Sequence, residues 1–390
     1  MSSKKPLYFD YAASTPLDPR VLAAMSHILG SPEFSGNAAS THYYGWRAQE
    51  VIEEARQQVA DWLHADPKEI IWTSGATEAN NLAIKGAAYF YQGRGKHIVT
   101  VKTEHEAVLE TCKQLEHEGF TVTYLRPTAN GLLNLDNLRH ALREDTILVS
   151  VMQVNNEIGV IQDLKSIAEI VKARGALLHV DAAQSAGKTL LNVQEIPADL
   201  VSLSAHKAYG PKGIGALYLR RNPRVRVRPL LQGGGHEQGL RSGTLATHQI
   251  VGMGEAFKIA LAEFAEDQQH ARALRQQLLA GLGDISGIIL NGSLEHSVPN
   301  ILNISCTEVE GESLMLALEP ELAISSGSAC TTAHLEASHV LTALGVAQDL
   351  AHSSFRLSFG RFTSAEDIER AVIVISEQLQ RLRSLSLSWN

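Results

Sequence analysis

The sequence predicts an α/β fold in which a large, mainly parallel sheet is joined to a smaller α+β unit. In this chain of 390 residues, short apolar runs alternate with helical patterns from Ile70 to Leu219. Strands that alternate with helices are typical of parallel βαβ units whose sheet is covered on both faces. Beyond Gly283 the strands and helices become shorter, which indicates a second unit with a different architecture.

The alternation can be followed element by element. Helical periodicity predicts helices over Pro19–Leu29 and Trp46–Leu63, separated by a polar, irregular stretch. The strand Ile70–Thr73 ends at a Ser-Gly pair, after which a helix begins within residues 76–84. The later strands are expected at His97–Val101, Thr121–Leu125, Ile147–Val154, Leu177–Val180, Leu200–Leu203 and Ala216–Leu219. The helices between them are expected at Ala107–Glu118, Leu135–Leu142 and Leu164–Arg174.

The C-terminal part of the chain departs from this alternation. A glycine-rich segment at residues 232–244 interrupts it, and one long helix is expected over His248–Leu282. The last element is an amphipathic helix over Ala365–Leu382. Because no repeat or flexible linker separates the two units, we expect them to pack closely.

Composition and charge argue against several classes of protein. Hydrophobic residues make up 44% and charged residues 19% of the chain, as in ordinary globular proteins. A formal net charge of -8 argues against direct binding to nucleic acid or to an anionic membrane. No apolar run approaches the roughly 18 residues of a membrane helix, and the N-terminus has no secretory signal core. We therefore expect a cytoplasmic protein.

The cysteines agree with a reducing compartment, since three of them are too few for a disulfide framework. Cys112 lies in a helical pattern and Cys306 in an apolar run, so both are expected to be buried. Cys330 instead lies among small polar residues that cannot pack into a core. The chain has neither a Cys-x-x-Cys nor a His-Glu-x-x-His motif, which disfavours a zinc site.

Unusual polar residues repeatedly follow the predicted strands. In open parallel sheets, ligands bind outside the carboxyl ends of the strands. The residues placed there are Glu104, His105, Asn155, Asn156, Asp181, Gln184, Ser204, His206 and Lys207. Their recurrence at successive strand ends predicts a polar cleft along one edge of the sheet.

Lys207 and Asp181 carry the chemistry of this cleft. A lysine between apolar walls and another cationic group can supply an uncharged amine for Schiff-base chemistry, although a lone lysine is more often an ordinary surface residue. Asp181 could cap the next helix, bind a metal or hold a proton on a heterocyclic nitrogen. A lysine and an acid on two strand ends are the pair that pyridoxal phosphate requires.

That cofactor also needs a phosphate site. Ser74-Gly-Ala-Thr-Glu supplies small residues and a hydroxyl where a helix starts, although the same pattern is an ordinary capping box. Ser204 and His206 could add donors. Residues 182–189 differ from a phosphate-binding Gly-x-x-x-x-Gly-Lys-Thr loop by lacking its first glycine and a convincing helix, which disfavours an NTPase. His105 could be a surface residue or an acid/base residue.

Six segments of the chain carry a more specific signal. They are Ser74-Gly-Ala-Thr-Glu-Ala-Asn-Asn, Val154-Asn-Asn-Glu-Ile-Gly, His179-Val-Asp-Ala-Ala-Gln, Ser204-Ala-His-Lys with Gly210-Pro-Lys-Gly-Ile-Gly, Gly233-Gly-Gly-His-Glu, and Ser325-Ser-Gly-Ser-Ala-Cys. Together they resemble the cysteine desulfurases, most closely the IscS/NifS group, from Tyr8 to about Leu382. The resemblance implies a fold-type I pyridoxal-phosphate transferase. Its large domain would span residues 16–264 and its small domain residues 1–15 plus 265–390.

The resemblance also implies an activity and the roles of individual residues. The family is homodimeric and takes sulfur from L-cysteine, leaving L-alanine and a persulfide on a cysteine. Lys207 would be the Schiff-base lysine, Asp181 the partner of the pyridine nitrogen, and His105 the acid/base residue stacked on the ring. The other implied cofactor-binding residues are Ala76, Thr77, Asn156, Gln184, Ser204, His206 and, from the neighbouring subunit, Thr244. The implied substrate-binding residues are Asn156 and Arg356, whose guanidinium suits a carboxylate.

Cys330 is implied as the persulfide carrier, on a loop of the longer IscS/NifS form. A thiolate on a mobile loop can reach the substrate sulfur and then present it to an acceptor, which a packed cysteine cannot do. The implied acceptors are iron–sulfur scaffold proteins, with which Cys330 could transiently ligate a cluster iron, or enzymes that thiolate tRNA or DNA. The chain ends at Asn390, before the tail that helps IscS proteins dock the scaffold, so a weaker scaffold contact is expected.

Two alternatives remain open at this point. Another fold-type I enzyme, such as a selenocysteine lyase or an aminotransferase, would share Lys207 and Asp181 but would not need Cys330. A non-enzymatic sulfur-relay or scaffold partner is disfavoured because every expected site residue is present.

Overall fold

The computed structural model describes residues 5–326 and 337–387. Its helices are α1 (Pro19–Gly30), α2 (Tyr43–Leu63), α3 (Ala76–Tyr91), α4 (Glu106–His117), α5 (Leu135–Ala141), α6 (Leu164–Ala173), α7 (Thr247–Ala262), α8 (Phe264–Gly283), α9 (Gly311–Leu318), α10 (His339–Leu344), α11 (Gln348–His352) and α12 (Ala365–Leu387). Its strands are β1 (Leu7–Tyr8), β2 (Ile70–Thr73), β3 (His97–Val101), β4 (Thr121–Leu125), β5 (Thr146–Met152), β6 (Leu177–Asp181), β7 (Leu200–Ser204), β8 (Gly215–Leu219), β9 (Ile288–Asn291), β10 (Ile301–Cys306), β11 (Leu322–Ala323), β12 (Ser325–Ser326) and β13 (Ser354–Ser358).

The large sheet carries the strands that the sequence predicts. Within the described ranges its order is β2-β8-β7-β6-β5-β3-β4. Only β8 runs antiparallel to its neighbours, and the other pairs are parallel. Every residue of β3, β5, β7 and β8 is buried, because helices cover both faces of the sheet. The predicted α/β class is confirmed.

The two faces of this sheet have separate apolar cores. One core packs α2, α6 and α7 against the sheet and contains Trp62, Trp72 and Phe257. The other packs α3 and α4 and contains the buried Cys112. Polar residues also follow the carboxyl ends of these strands, and there they meet at one edge of the sheet.

A second, smaller sheet forms its own core. Strands β12, β13, β10 and β9 are antiparallel, and α8, α9 and α12 pack on them. Cys306 is buried in this core, so the predicted burial of both Cys112 and Cys306 is confirmed. The strand β13 ends beside the large unit and brings Arg356 to the boundary between the two units.

The N-terminal segment connects the two units. Strand β1 pairs in parallel with β11 of the small unit, and Asp10 forms a bridge with Ser358. Five residues later, the Thr15 hydroxyl donates to the His206 carbonyl at 2.9 Å and accepts from the Tyr209 N–H at 2.7 Å. The segment is therefore fastened to β13 at one end and to the turn after β7 at the other.

One predicted helix is wrong. In place of a single helix over His248–Leu282 the chain forms α7 and α8, which meet at Glu263. The carboxylate of Glu263 pairs with Arg20 and Arg361 from other parts of the chain. These tertiary contacts override a periodicity that continues unbroken through the junction. The strand predicted over Ile147–Val154 is also too long, since β5 ends at Met152.

Within the two described ranges, no helix is both long enough and apolar enough to cross a membrane.

Candidate active site

A cavity of about 680 Å³ lies at the carboxyl edge of the large sheet. Residues that follow β2, β3, β5, β6 and β7 form one wall, and the N-terminal segment and β13 form the other. The predicted site residues on its lining are Ala76, Thr77, His105, Asn156, Asp181, Gln184, Ser204, His206, Lys207 and Arg356. The sequence-based expectation of a polar cleft at these strand ends therefore agrees with the described geometry.

Three predicted residues within the described ranges are not on this lining: Glu104 and Asn155, which are buried, and Thr244. Thr244 is exposed on the single chain, in the glycine-rich segment before α7. An exposed position is compatible with its predicted role in the phosphate site of a neighbouring subunit. Cys330 lies outside the described residues.

Lys207 is half-buried in the turn that leaves β7. Behind it lies Lys188, which is only 6% exposed and whose Nζ donates to the Lys207 carbonyl oxygen at 3.0 Å. Burial, together with the charges of Lys207 and Arg356, lowers the pKa of Lys188 to about 7. Lys188 thus supports the main chain of Lys207.

Asp181 ends β6 and is 5% exposed. Its Oδ2 accepts from Asn80 Nδ2 at 2.8 Å, and its Oδ1 accepts from the Ala183 N–H at 3.0 Å. These two donors fix the carboxylate plane while the residue still lines the cavity. A carboxylate held in this way can accept a hydrogen bond from a protonated ring nitrogen.

The start of α3 forms one end of the cavity. Its N-cap, Gly75, makes no side-chain capping bond, so no cap occupies the first N–H groups of the helix, where Ala76 and Thr77 line the cavity. The Ser204 hydroxyl is buried there without a partner among the described residues. Burial and the charges of Lys207, Lys212 and Lys188 lower the pKa of His206 to about 4, which leaves its ring neutral.

His105 caps α4 and faces the cavity. Its Nδ1 accepts from the Ala107 N–H at 3.0 Å, so the neutral ring carries its proton on Nε2. Burial, followed by the charge of Lys207, lowers the pKa of His105. Beside it, burial raises the pKa of Glu104 well above its usual range. The Glu104 Oε1 accepts from the Met152 N–H at 2.9 Å.

Arg356 reaches the cavity from β13 of the small unit. Its Nη1 donates to the Asn156 carbonyl oxygen at 2.8 Å, and its Nη2 pairs with Asp10 Oδ1 at 2.5 Å. The Arg356 Nε is buried without a partner among the described residues. The guanidinium is therefore held in place and still has unused N–H donors.

Sequence reasoning missed several residues of this site. Asp10 and Asn80 line the cavity, and Lys188 lies directly behind Lys207. Asn80 stands in the segment quoted for the family resemblance, one turn into α3, which was a usable signal. Asp10 had none, because nothing local distinguishes a carboxylate in an extended segment from a solvated one.

The cavity fits pyridoxal phosphate on structural grounds. Among the described residues, four buried polar atoms on its wall lack partners: Asn80 Oδ1, Gln184 Oε1, Ser204 Oγ and Arg356 Nε. Buried polar atoms are rarely left unsatisfied, so such a cluster indicates a polar ligand. The uncapped start of α3 suits a phosphate, and Asp181 suits a protonated ring nitrogen.

Comparisons with known proteins agree with this geometry. The family model of the class-V aminotransferases matches residues 7–371. The chain is 58% identical to a cysteine desulfurase IscS of Vibrio atlanticus (strain LGP32), over 99% of this chain and 96% of that protein.

Solved structures give the same result. A NifS-like protein superposes with a TM-score of 0.90 at 38% identity, over 97% of this chain and 100% of that chain. A structure described as SspA in complex with cysteine gives a TM-score of 0.80 at 38% identity, over 92% of this chain and 99% of that chain.

The match spans nearly the whole chain and confirms the family resemblance. It also agrees with a cavity that combines a lysine, a buried aspartate and an uncapped helix start. The chain belongs to the class-V aminotransferase family and, within it, to the IscS/NifS group of pyridoxal-phosphate-dependent cysteine desulfurases.

Proposed function

We propose that Lys207, Asp181 and His105 perform the desulfuration of L-cysteine in this cavity, and that Cys330 receives the sulfur. One observation carries the proposal. Asp181 ends β6, Lys207 follows the neighbouring strand β7, and both line the same cavity as His105, which follows β3. A base, an acid partner and a neutral histidine are thus arranged around one space.

The proposed residues divide the work between holding the cofactor and moving protons. Bound pyridoxal phosphate supplies an electron-withdrawing ring that weakens the bonds at the substrate α-carbon. Asp181 would keep the proton on the ring nitrogen through its negative charge. Asn80 and the Ala183 N–H hold its carboxylate in place. The amine of Lys207 takes the α-proton of the substrate. His105, with its proton on Nε2, can exchange a proton on the opposite side.

Other residues bind the ends of the cofactor and the substrate. The N–H groups of Ala76 and Thr77, with Ser204 and His206, would hold the phosphate at the start of α3. Gln184 Oε1 and Asn156 would contact the ring or its substituents. Arg356 would bind the substrate carboxylate through its fork of N–H donors.

The atoms and electrons of the sulfur transfer balance without an external oxidant or reductant. The Cys330 thiolate attacks the substrate sulfur, so that a sulfur–sulfur bond forms while the carbon–sulfur bond breaks. The carbon skeleton takes up protons and leaves as L-alanine, and the sulfur remains on Cys330 as a persulfide. Neither buried cysteine suits this role, since burial raises the pKa of Cys112 to about 12 and of Cys306 to about 11.

We propose that the persulfide passes to an iron–sulfur scaffold protein or to an enzyme that thiolates tRNA. The enzyme loaded with ³⁵S from L-cysteine should transfer label to the physiological acceptor within minutes, because an exposed persulfide exchanges readily with a thiolate. Transfer would be followed on non-reducing gels with a scaffold protein and a tRNA-thiolating enzyme in parallel. Cys330→Ser is the control. Transfer of label to neither acceptor class would contradict this assignment.

We also propose a homodimer in which Thr244 completes the phosphate site of the other subunit. A subunit with Lys207→Ala, mixed with a subunit with Thr244→Val, should restore one intact site in each mixed dimer. At limiting pyridoxal phosphate, tagged mixed dimers should therefore be several times more active than either parent homodimer. If Thr244 served its own subunit, every site in the mixture would be damaged and no recovery would occur.

A cytoplasmic location is part of the proposal. It is supported by two unpaired cysteines among the described residues and by a mechanism that needs a reduced Cys330. Cell fractionation would test it, and recovery from an oxidising compartment would contradict it.

A further inference from the structure

Arg356 already has a carboxylate partner within the chain. Asp10 Oδ1 lies 2.5 Å from Arg356 Nη2, and both residues line the cavity. The Arg356 side chain is 8% exposed and that of Asp10 is 24% exposed, so the pair lies at the cavity wall and not in open solvent. The guanidinium proposed to bind the substrate carboxylate is therefore partly neutralised before substrate arrives.

The main chain holds Asp10 in this position. Its backbone bridges Ser358 on β13, two residues beyond Arg356. Its carbonyl oxygen accepts from the N–H groups of Ala13 and Ser14 and from the Tyr8 hydroxyl at 3.2 Å. Because the main chain of Asp10 is fixed to β13, which also carries Arg356, the two side chains stay within reach of each other.

We propose that Asp10 limits the affinity of the carboxylate subsite that Arg356 forms. The inference rests on the proposed role of Arg356 in binding the substrate carboxylate. A substrate carboxylate that binds Arg356 must approach a guanidinium whose Nη2 already pairs with Asp10, so two carboxylates lie close together. Their repulsion weakens the binding of both L-cysteine and L-alanine, which carry the same carboxylate.

This arrangement favours turnover over tight binding. Substrate and product present the same α-carboxylate to Arg356, so tighter binding would retain alanine as well as cysteine. Asp10 lowers the affinity for substrate and for product. Other charged residues also line the cavity, with Glu157 as a further carboxylate and Lys207 and Lys212 as cations, but Asp10 is paired directly with Arg356.

Asp10→Asn is expected to lower the KM for L-cysteine and the inhibition constant of L-alanine, each about tenfold, the scale of removing one like charge near a partly buried site. Asparagine keeps the size of the side chain and an acceptor oxygen for Arg356. Calorimetry with 3-mercaptopropionate, which has the carboxylate but no amine, should show a similar fall in Kd without any turnover. Asp10→Glu retains the charge and should behave like the wild type.

Two controls separate this inference from the proposed function. Asp145→Asn removes a carboxylate from the exposed Arg143–Asp145 pair, far from the site, and should change no constant. In an Arg356→Gln background, Asp10→Asn should have no effect on 3-mercaptopropionate binding. An unchanged KM in Arg356→Gln alone would refute the role of Arg356 and with it the proposed substrate site.

The inference fails on its own if Arg356→Gln raises KM while Asp10→Asn leaves KM and the Kd of 3-mercaptopropionate unchanged or raises them. In that case Asp10 would only position the arginine. Asp10→Ser provides a second uncharged variant should Asp10→Asn fold poorly. Thermal unfolding and the visible absorbance of the cofactor report whether each variant is intact.

Discussion

Lys207→Ala is expected to lose turnover of L-cysteine by about a thousandfold or more, because it removes both the covalent attachment of the cofactor and the base for the α-proton. The purified variant should also lack the visible absorbance of a lysine-bound cofactor. In the wild type, borohydride reduction should fix the mass of the reduced cofactor on the peptide that contains Lys207. Mass spectrometry of the digested protein measures this directly.

Two further variants serve as comparisons for Lys207→Ala. Lys165→Ala removes an exposed lysine on α6 and should change neither absorbance nor turnover. Asp181→Asn should retain the label on Lys207 but reduce turnover about a hundredfold, since it removes the charge that holds the ring proton. A borohydride-stable label on any residue other than Lys207 would refute the assignment of the anchor.

Cys330→Ser should abolish sulfide and persulfide formation from L-cysteine while leaving the cofactor absorbance unchanged. The loss should again reach about a thousandfold, because a hydroxyl at this position cannot act as the thiolate nucleophile. Alanine and sulfide would be measured together in the presence of a reductant. Retained production of both in equal amounts would show that Cys330 is not the carrier.

The two other cysteines provide matched controls for this experiment. Cys112→Ala and Cys306→Ala each remove a thiol that is buried in an apolar core and has a raised pKa. Both variants should keep sulfide production near the wild-type rate, even if their stability falls by about 1 kcal/mol from the lost packing. The comparison distinguishes a catalytic thiol from a general dependence on cysteine.

Much of the large sheet was predictable because its strands are buried on both faces. The apolar run His97–Val101 coincides with β3, since a fully covered strand leaves an uninterrupted local pattern. The end of α7 at Glu263 was not predictable in the same way. Its cause is a pair of arginines from distant parts of the chain, and local periodicity contains no trace of them.

The same distinction between local and long-range causes applies to the residues of the site. Asp181 and Lys207 were accessible to sequence reasoning because a polar residue directly after an apolar strand is locally unusual. Asp10 was not, because its partner Arg356 is 346 residues away and its own segment shows no periodicity. Lys188 was missed for another reason. Its motif suggests a phosphate loop, and only the fold turns the amine toward the Lys207 carbonyl.

The attachment of the N-terminal segment to β11 and β13 has a consequence for biosynthesis. Leu7 pairs with Leu322, so the first strand of the chain must wait for nearly all of the remaining chain to be synthesised. Contacts of such large sequence separation form late and carry a high loop-closure cost. The large sheet can therefore assemble first, during translation, while the wall of the cavity that holds Asp10 closes only after the ribosome has finished β13.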